Sequence, residues 1–314
     1  MDLAVIIVSW NTRDLTLDTL RTLTADLDAH GPQAEIWVVD SASSDGSAQA
    51  VRAEFPQVKL IANDTNLGFA AGNNAALRAL GFGDDPAPAK QPHAVYLLNP
   101  DTQTQPGATR ALYDALFTLP KAGVVGAQLS YADGSFQHGA FMFPGLRQIL
   151  VDLYPVPGRL HESRFNGRYP RAAYERGVPF PVDHTLGATM MLRREVIVQT
   201  GLFDEDYFMY CEEVDWSIRI RRAGWEIYTV PTAHVVHLAG QSTSQVRPQS
   251  MVNLWRSRYR LFAKHYPPLM RVVARPLVQL GMARKIAQTR RDENLAAEDR
   301  DELIAAYRTI QGMS

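Results

Sequence analysis

Val95-Tyr96-Leu97-Leu98-Asn99-Pro100-Asp101-Thr102 decides the fold. Four apolar residues run straight into Asn-Pro-Asp, the pattern of a strand buried on both faces in a parallel sheet. Pro100 cannot donate to a sheet ladder, so the strand is expected to stop at Asn99. Asn99 and Asp101 then stand at the strand's carboxyl end, where open α/β sheets place their ligands. Asp101 is a hard oxygen ligand and, with Asn99 beside it, suits a divalent ion that keeps waters or phosphate oxygens. The same residues also suit an Asx-type turn capping a strand, and the local sequence leaves both readings open.

Upstream, Leu3–Val8 reads as a buried first strand that ends in Ser9-Trp10-Asn11. Leu15, Leu17, Leu20, Leu23 and Leu27 have helical spacing, stopped at His30-Gly31-Pro32. Glu35–Asp40 and Val58–Ala62 are further strands, with helices expected over Ser47–Phe55 and from Asn66 to Leu80. Downstream come a helix to Leu119, strands at Gly123–Leu129 and Gly187–Arg193, and short helices at Glu195–Thr200 and Glu212–Arg222. Ile227–Val230 reads as a last strand, and Pro231–Ser244 as a polar loop. Residues 130–180 are rich in Gly, Pro, Arg and aromatics without a clear period, and are expected to be substrate-facing or mobile loops. The alternation of strand and helix predicts an α/β fold with a mostly parallel central sheet.

Composition narrows the class. The 314 residues are 46% hydrophobic and 21% charged, ordinary for a globular chain. No apolar stretch approaches the ~20 residues that span a bilayer, and no basic, apolar and small-residue succession marks a secretory signal. The single Cys211 fits a reducing compartment; the expected location is cytoplasmic. No G-x-G-x-x-G follows the first strand and no G-K-[ST] occurs, which argues against a dinucleotide fingerprint and a P-loop. Asp40 nevertheless ends a strand, where a carboxylate accepts hydrogen bonds from a base or a ribose hydroxyl. Gly68 and Gly72 let a helix start approach a ligand closely.

Six motifs then fall in order: Val-Ser-Trp-Asn11, Val-Val-Asp40-Ser, Asn66-Leu-Gly-Phe-Ala-Ala-Gly-Asn73, Leu-Leu-Asn99-Pro-Asp101, Gly187-Ala-Thr-Met-Met, and Phe203-Asp-Glu with Phe208-Met-Tyr-Cys-Glu-Glu-Val-Asp215. Together they resemble family 2 glycosyltransferases of the GT-A nucleotide-diphospho-sugar fold, in the rhamnosyltransferase-like branch. The resemblance covers residues 3 to 244, leaving a helical C-terminal region from 245 to 314. It implies inverting transfer of a sugar, L-rhamnose from dTDP-rhamnose, to a cell-surface polysaccharide or lipid-linked glycan, with Mg²⁺ or Mn²⁺ on the diphosphate. A UDP-hexose or UDP-galactofuranose donor, or a catalytically silent sugar-nucleotide-binding assembly protein, are the alternatives. By the same resemblance Asp101, Asn99 and His237 form the metal site. Ser9, Asn11, Asp40, Asn66, Gly68, Gly72, Asn73, Asn99 and Arg219 bind the donor. Two departures stand out: Asn99 replaces the first carboxylate of the family's D-x-D, and Glu212-Glu213 replaces its Glu-Asp pair.

The chemistry also needs a base on the sugar face opposite the leaving diphosphate. Among Glu212, Glu213 and Asp215 the family alignment selects Glu213, and its place at a helix start is expected to favour the ionised form. Asp215 and Arg219 have the i,i+4 spacing of an ion pair.

Between Glu226 and Asp292 there is no acidic residue, while eleven basic ones occur, with Leu254, Trp255, Tyr259, Leu261 and Phe262 interleaved among the first. This pattern reads as a membrane-surface element in peripheral contact with anionic lipid on the inner face of the plasma membrane. No nucleic-acid motif accompanies the charge, so no nucleic-acid partner is expected.

Overall fold

The computed structural model describes residues 1–239 and 247–313; the boundary expected at 244 and 245, and the end of the loop expected from Pro231, lie outside them. Twelve strands and eleven α-helices are named in chain order. The first half holds β1 (Leu3–Ser9), α1 (Arg13–His30), β2 (Ala34–Ser41), α2 (Ser47–Glu54), β3 (Lys59–Asn63), α3 (Gly68–Ala79), β4 (Ala94–Leu98), β5 (Thr102–Thr104), α4 (Ala108–Thr118) and β6 (Ala122–Ser130). Then follow β7 (Phe136–Gln137), β8 (Ala140–Phe141), α5 (Leu146–Leu153), α6 (Arg171–Glu175), β9 (Phe180–Val182), β10 (His184–Thr185), β11 (Thr189–Arg193), α7 (Arg194–Thr200), α8 (Glu212–Arg222) and β12 (Glu226–His237). Three helices close the chain: α9 (Arg247–His265), α10 (Pro268–Arg290) and α11 (Ala297–Gln311).

The main sheet has the order β3-β2-β1-β4-β11-β6-β12-β5. Strands β3, β2, β1 and β4 are parallel, as are β6 and β12, while β11 runs antiparallel between β4 and β6. The sheet is therefore mixed. The continuous apolar runs arise because β1 is covered on both faces: Leu3, Val5 and Ile7 pack with Leu20, Leu23 and Leu112, and Ala4 and Ile6 with Leu77, Val196 and Trp216. Helices α1, α2 and α4 thus cover one face, and α3, α7 and α8 the other.

After Leu98 the chain leaves β4 through Asn99-Pro100-Asp101 and pairs as β5 with the far end of β12, Thr102 lying opposite His237. This crossing carries Asp101 from one strand to the edge of another. Strand β12 runs seven residues beyond the Val230 expected from sequence, to His237. Its pairing with β6 shifts register between Val230 and His234, and this bulge accommodates Pro231 within a strand.

Residues 130–180 contain more order than their composition suggests. Leu146, Ile149 and Leu153 share a helical face on α5, which packs into a cluster with Trp255, Phe262, Val278 and Met282 of the C-terminal helices. Gly281 permits the approach: a Cβ there would lie 2.7 Å from Leu153. On α9 the interleaved aromatics and part of the basic charge face the protein. Trp255, Tyr259, Leu261 and Phe262 are buried in the protein. Arg258 pairs with Asp152, Arg260 with Asp204 and Asp206, and Lys264 with Asp204 and Asp215. Helix α9 is therefore bound against the α/β half, and its interleaved aromatics serve packing.

Candidate active site

A cleft of about 340 Å³ opens at the carboxyl ends of β1, β2 and β4. Val8 and Trp10 follow from β1, Ser41 from β2, and Asn99, Pro100 and Asp101 from β4. Asn66, Gly68 and Phe69 come from the start of α3; Met209, Tyr210, Glu212 and Glu213 from the approach to α8; His237 from the end of β12. Leu186–Ala188, leading into β11, complete the wall. Backbone bonds lock these pieces together. Asn99 N donates to Ala188 O (3.0 Å), Leu238 N to Asp101 O (2.9 Å), and Phe69 N to Phe208 O (3.0 Å). Gly68 sits in the left-handed region, and a Cβ on it would lie 2.2 Å from Phe208 O, so only glycine lets α3 meet the loop before α8.

Asp101 and His237 face one another across this floor, both buried. The Oδ1 atom of Asp101 lies 3.4 Å from His237 Nε2 and has no hydrogen-bond partner. Asn99 Nδ2 lies 3.5 Å from the same nitrogen, and Gln137 Oε1 lies 3.1 Å from His237 Nδ1. A buried carboxylate oxygen without a donor is costly unless a cation or donor meets it. Carboxylate oxygen, imidazole nitrogen and amide together are suitable ligands for Mg²⁺ or Mn²⁺. Among the described residues no group of three or more His, Cys, Asp and Glu side chains forms a ready metal cage. Further ligands would have to come from water or substrate oxygens. No Lys or Arg occurs among the described residues that line the cleft.

The acids enter from the opposite wall. Tyr210 and Cys211 are both in left-handed conformation (φ 70° and 65°) immediately before α8, a strained arrangement for non-glycine residues. That turn brings Glu212 and Glu213 into the cleft, while Gly187 lies under Glu213 and Phe69. Burial raises the carboxyl of Glu213 to about 7, and burial with the charge of Glu213 raises Glu212 well above its ordinary value. Burial thus outweighs the helix-dipole effect expected from sequence and favours the protonated form of both carboxyls.

Asp215 and Arg219, expected as a catalytic and a donor-binding residue, stand outside this lining. Asp215 is fully buried, 2.8 Å from Lys264 Nζ and 2.6 Å from His265 Nε2 of α9. Arg219 Nε donates to its Oδ2 (2.9 Å), and the other guanidinium nitrogens donate to Thr200 O and Leu202 O. Burial opposes ionisation of Asp215, but hydrogen bonds from Lys264 and His265 and the Arg219 charge hold its carboxyl below the ordinary value. These partners use Arg219 in holding α8, so it is not brought to the cleft to meet a donor. Asp215→Asn is expected to lose about 3 kcal/mol of stability, the usual result of stripping one member from a buried charge network. Urea unfolding measures it. A loss under about 1 kcal/mol would reassign the network to ordinary surface pairing.

The expected donor residues divide into two groups. Asn66, Gly68 and Asn99 line the cleft. Asp40 lies behind Ser41: its Oδ2 accepts from Ser43 N (3.0 Å), while its buried Oδ1 has no partner. Asn11 Oδ1 accepts from Ser44 N, joining the loops after β1 and β2. Ser9 bonds Thr12 and Thr16, Asn73 donates to Phe69 O, and Gly72 packs against Val8. These last three are the scaffold behind the lining. Ser41 and Leu186, which line the cleft, and Gln137, which stands behind His237, are marked by no local spacing, because β2, the turn before β11 and β7 come together only through the tertiary fold.

Comparison with known proteins bears on this geometry. The family model described as "Glycosyl transferase family 2" matches residues 4–200. The N-acetylglucosaminyl-diphospho-decaprenol L-rhamnosyltransferase of Mycobacterium tuberculosis (strain H37Rv) is 33% identical over 239 residues, 74% of this chain and 75% of that protein. The low-salt glycan biosynthesis hexosyltransferase Agl10 of Haloferax volcanii is 24% identical over 255 residues, 81% of this chain and 72% of that protein. Among solved structures, the mannosyltransferase PcManGT of Pyrobaculum calidifontis, in complex with GDP-Man and Mn²⁺, superposes with a TM-score of 0.54 at 17% identity. That match covers 99% of this chain and 83% of the other, and bears on the fold alone.

Proposed function

The chain belongs to glycosyl transferase family 2, and on that premise we propose that it transfers L-rhamnose from dTDP-rhamnose, with inversion, to a lipid-linked or cell-surface glycan. The observation that carries the reading is the unpartnered Asp101 Oδ1 facing His237 Nε2, across a cleft from Glu212 and Glu213. The name of the mycobacterial relative supports rhamnose as the sugar and a prenyl-diphosphate sugar as acceptor. The hexosyltransferase name of the archaeal one supports the alternative, a hexose donor.

Asp101, His237 and Asn99 would hold Mg²⁺ or Mn²⁺, which when bound neutralises charge on the leaving diphosphate. The absence of Lys and Arg from the described lining supports that need. Asp40 and Ser41 take the nucleoside end of the cleft, with Asn66 and Gly68 beside it. Glu213 accepts the proton of the acceptor hydroxyl as its oxygen bonds the anomeric carbon. The bond from that carbon to the diphosphate oxygen breaks, and its electron pair leaves with the nucleoside diphosphate. One displacement with one base inverts the centre, as in inverting glycosidases. Purified protein given dTDP-rhamnose, UDP-hexoses and UDP-galactofuranose, each with Mn²⁺ and a prenyl-diphosphate-linked N-acetylglucosamine as acceptor, should release nucleoside diphosphate fastest from dTDP-rhamnose. Faster release from a uridine donor would replace the donor; release from none would leave a silent binding protein.

The C-terminal region is proposed as a peripheral contact with anionic lipid on the cytoplasmic side. No helix among the described residues is long and apolar enough to cross a membrane. Support comes from α10, where Leu269, Val272 and Leu280 are 69%, 68% and 65% exposed. With Pro276 they form one stripe opposite the buried Ala274, Val278 and Met282, and exposed Arg271 and Arg275 lie on the same helix. Each Arg or Lys near an anionic surface contributes ~1 kcal/mol. Binding to phosphatidylserine vesicles is expected, falling as salt rises, and Val272→Asp with Leu280→Asp should remove it. Equal binding to neutral vesicles, or none to either, would end the proposal.

A further inference from the structure

We infer that Gln137 is a positioning residue that fixes the tautomer of His237, keeping the Nε2 lone pair turned toward Asp101. This rests on the reading of Asp101 and His237 as the cation site. The residue comes from β7, a two-residue strand pairing with β6 so that Leu129 lies opposite Gln137. Strand β6 in turn pairs with β12, which ends at His237. The β6–β7 hairpin and the end of β12, far apart in sequence, thus meet at one imidazole.

The chemistry follows from the atoms. In this amide orientation Gln137 Oε1, 3.1 Å from His237 Nδ1, can only accept, so the bond places the proton on Nδ1. Neutral imidazole has one N–H, which leaves Nε2 with its lone pair. Around Nε2 stand Asn99 Nδ2 at 3.5 Å, which donates, and Asp101 Oδ1 at 3.4 Å, which accepts. Two acceptors facing each other, one of them a carboxylate oxygen without any donor, are an arrangement that a cation completes. Were the Gln137 amide turned the other way, Nδ1 would accept, Nε2–H would point at Asp101, and no nitrogen lone pair would face the carboxylate. Gln137 is itself buried, as are Asp101 and His237, so bulk water does not substitute for its carbonyl. Outer hydrogen-bond partners of ligating histidines typically change metal affinity 10–100-fold.

The test uses the whole chain with histidine labelled in ¹⁵N at both ring positions, without metal and at alkaline pH, where ordinary imidazole is neutral. The His237 signals, identified by their loss in His237→Ala, should show an N–H-bearing Nδ1 and a bare Nε2. The reverse pattern overturns the inference. Mn²⁺ binding in the presence of dTDP, read by the loss of the free-ion electron paramagnetic resonance signal, gives the second readout. Gln137→Met, close in volume but lacking the carbonyl, should weaken Mn²⁺ binding about 10–100-fold, and Gln137→Glu, which keeps an acceptor, should restore it. If His237→Ala weakens Mn²⁺ binding and Gln137→Met does not, the inference fails while the cation site stands. If His237→Ala leaves Mn²⁺ binding unchanged, the cation site itself is misplaced.

Discussion

Glu213→Gln is expected to bind nucleotide sugar as the parent does and to transfer it about 10²–10⁴-fold more slowly, the usual share of a general base. The amide keeps the side-chain volume beside Gly187 and Phe69, and removes only the capacity to take a proton. Glu213→Asp, with a carboxylate one methylene shorter, should keep part of the rate. The pH dependence follows from burial. The Glu213 carboxyl is raised to about 7, and a base works only when deprotonated, so transfer should rise with pH through about 7 and then level. A pKa near the working pH is what efficient general bases have. Stability runs the other way. A folded-state value raised from 4.5 to about 7 means the folded chain holds a proton that the unfolded chain has lost. Stability from this group is therefore full below the unfolded value and is lost as pH rises through about 7. Glu213→Gln should accordingly gain stability relative to the parent as pH rises across this window, in denaturant unfolding at several pH values. A rate profile flat from pH 5 to about 8, or an inert Glu212→Gln beside an active Glu213→Gln, would assign the base elsewhere.

Asp101→Asn is expected to lose transfer by on the order of 10³-fold or more, since a cation on the leaving diphosphate supplies several kcal/mol and each 1.36 kcal/mol is tenfold. It should also lose the enhancement of dTDP binding by Mn²⁺. The fold should survive. Leu238 N still meets residue 101 O, and Thr102 N still meets Thr19 Oγ1 (3.1 Å), because those bonds involve the backbone. Titration calorimetry with dTDP, with and without Mn²⁺, separates the two effects. Parent-like turnover, or parent activity indifferent to chelation, would remove Asp101 from the site.

Much of this arrangement is legible in the chain. The runs at Leu3–Ser9 and Ala94–Leu98 read as doubly covered strands because burial on both faces removes any need for alternation. Pro100 marks where the strand must end, so Asp101 at a sheet edge follows from backbone chemistry. Other features depend on partners that local sequence does not name. Arg219 is one of three arginines in the last turn of α8 and reads equally as a phosphate ligand, until Thr200, Leu202 and Asp215 claim its nitrogens. The ionisation of Glu213 depends on what covers it, and a helix-start argument carries no information about burial. Strand β12 continues past Pro231 only because a bulge absorbs the missing donor. Gln137 stands in a segment without period, and its meaning appears only when β7 is laid beside β6.

The proposed reaction is displacement of a nucleoside diphosphate from a sugar by an acceptor hydroxyl in this cleft, in one step, with Glu213 taking the proton. Proton NMR of the products from dTDP-rhamnose, Mn²⁺ and a prenyl-diphosphate-linked N-acetylglucosamine tests it most directly. Free dTDP is expected, with a new rhamnoside whose anomeric configuration is opposite to that of the donor. Retained configuration would contradict the single displacement, and unconsumed donor would contradict the transfer itself.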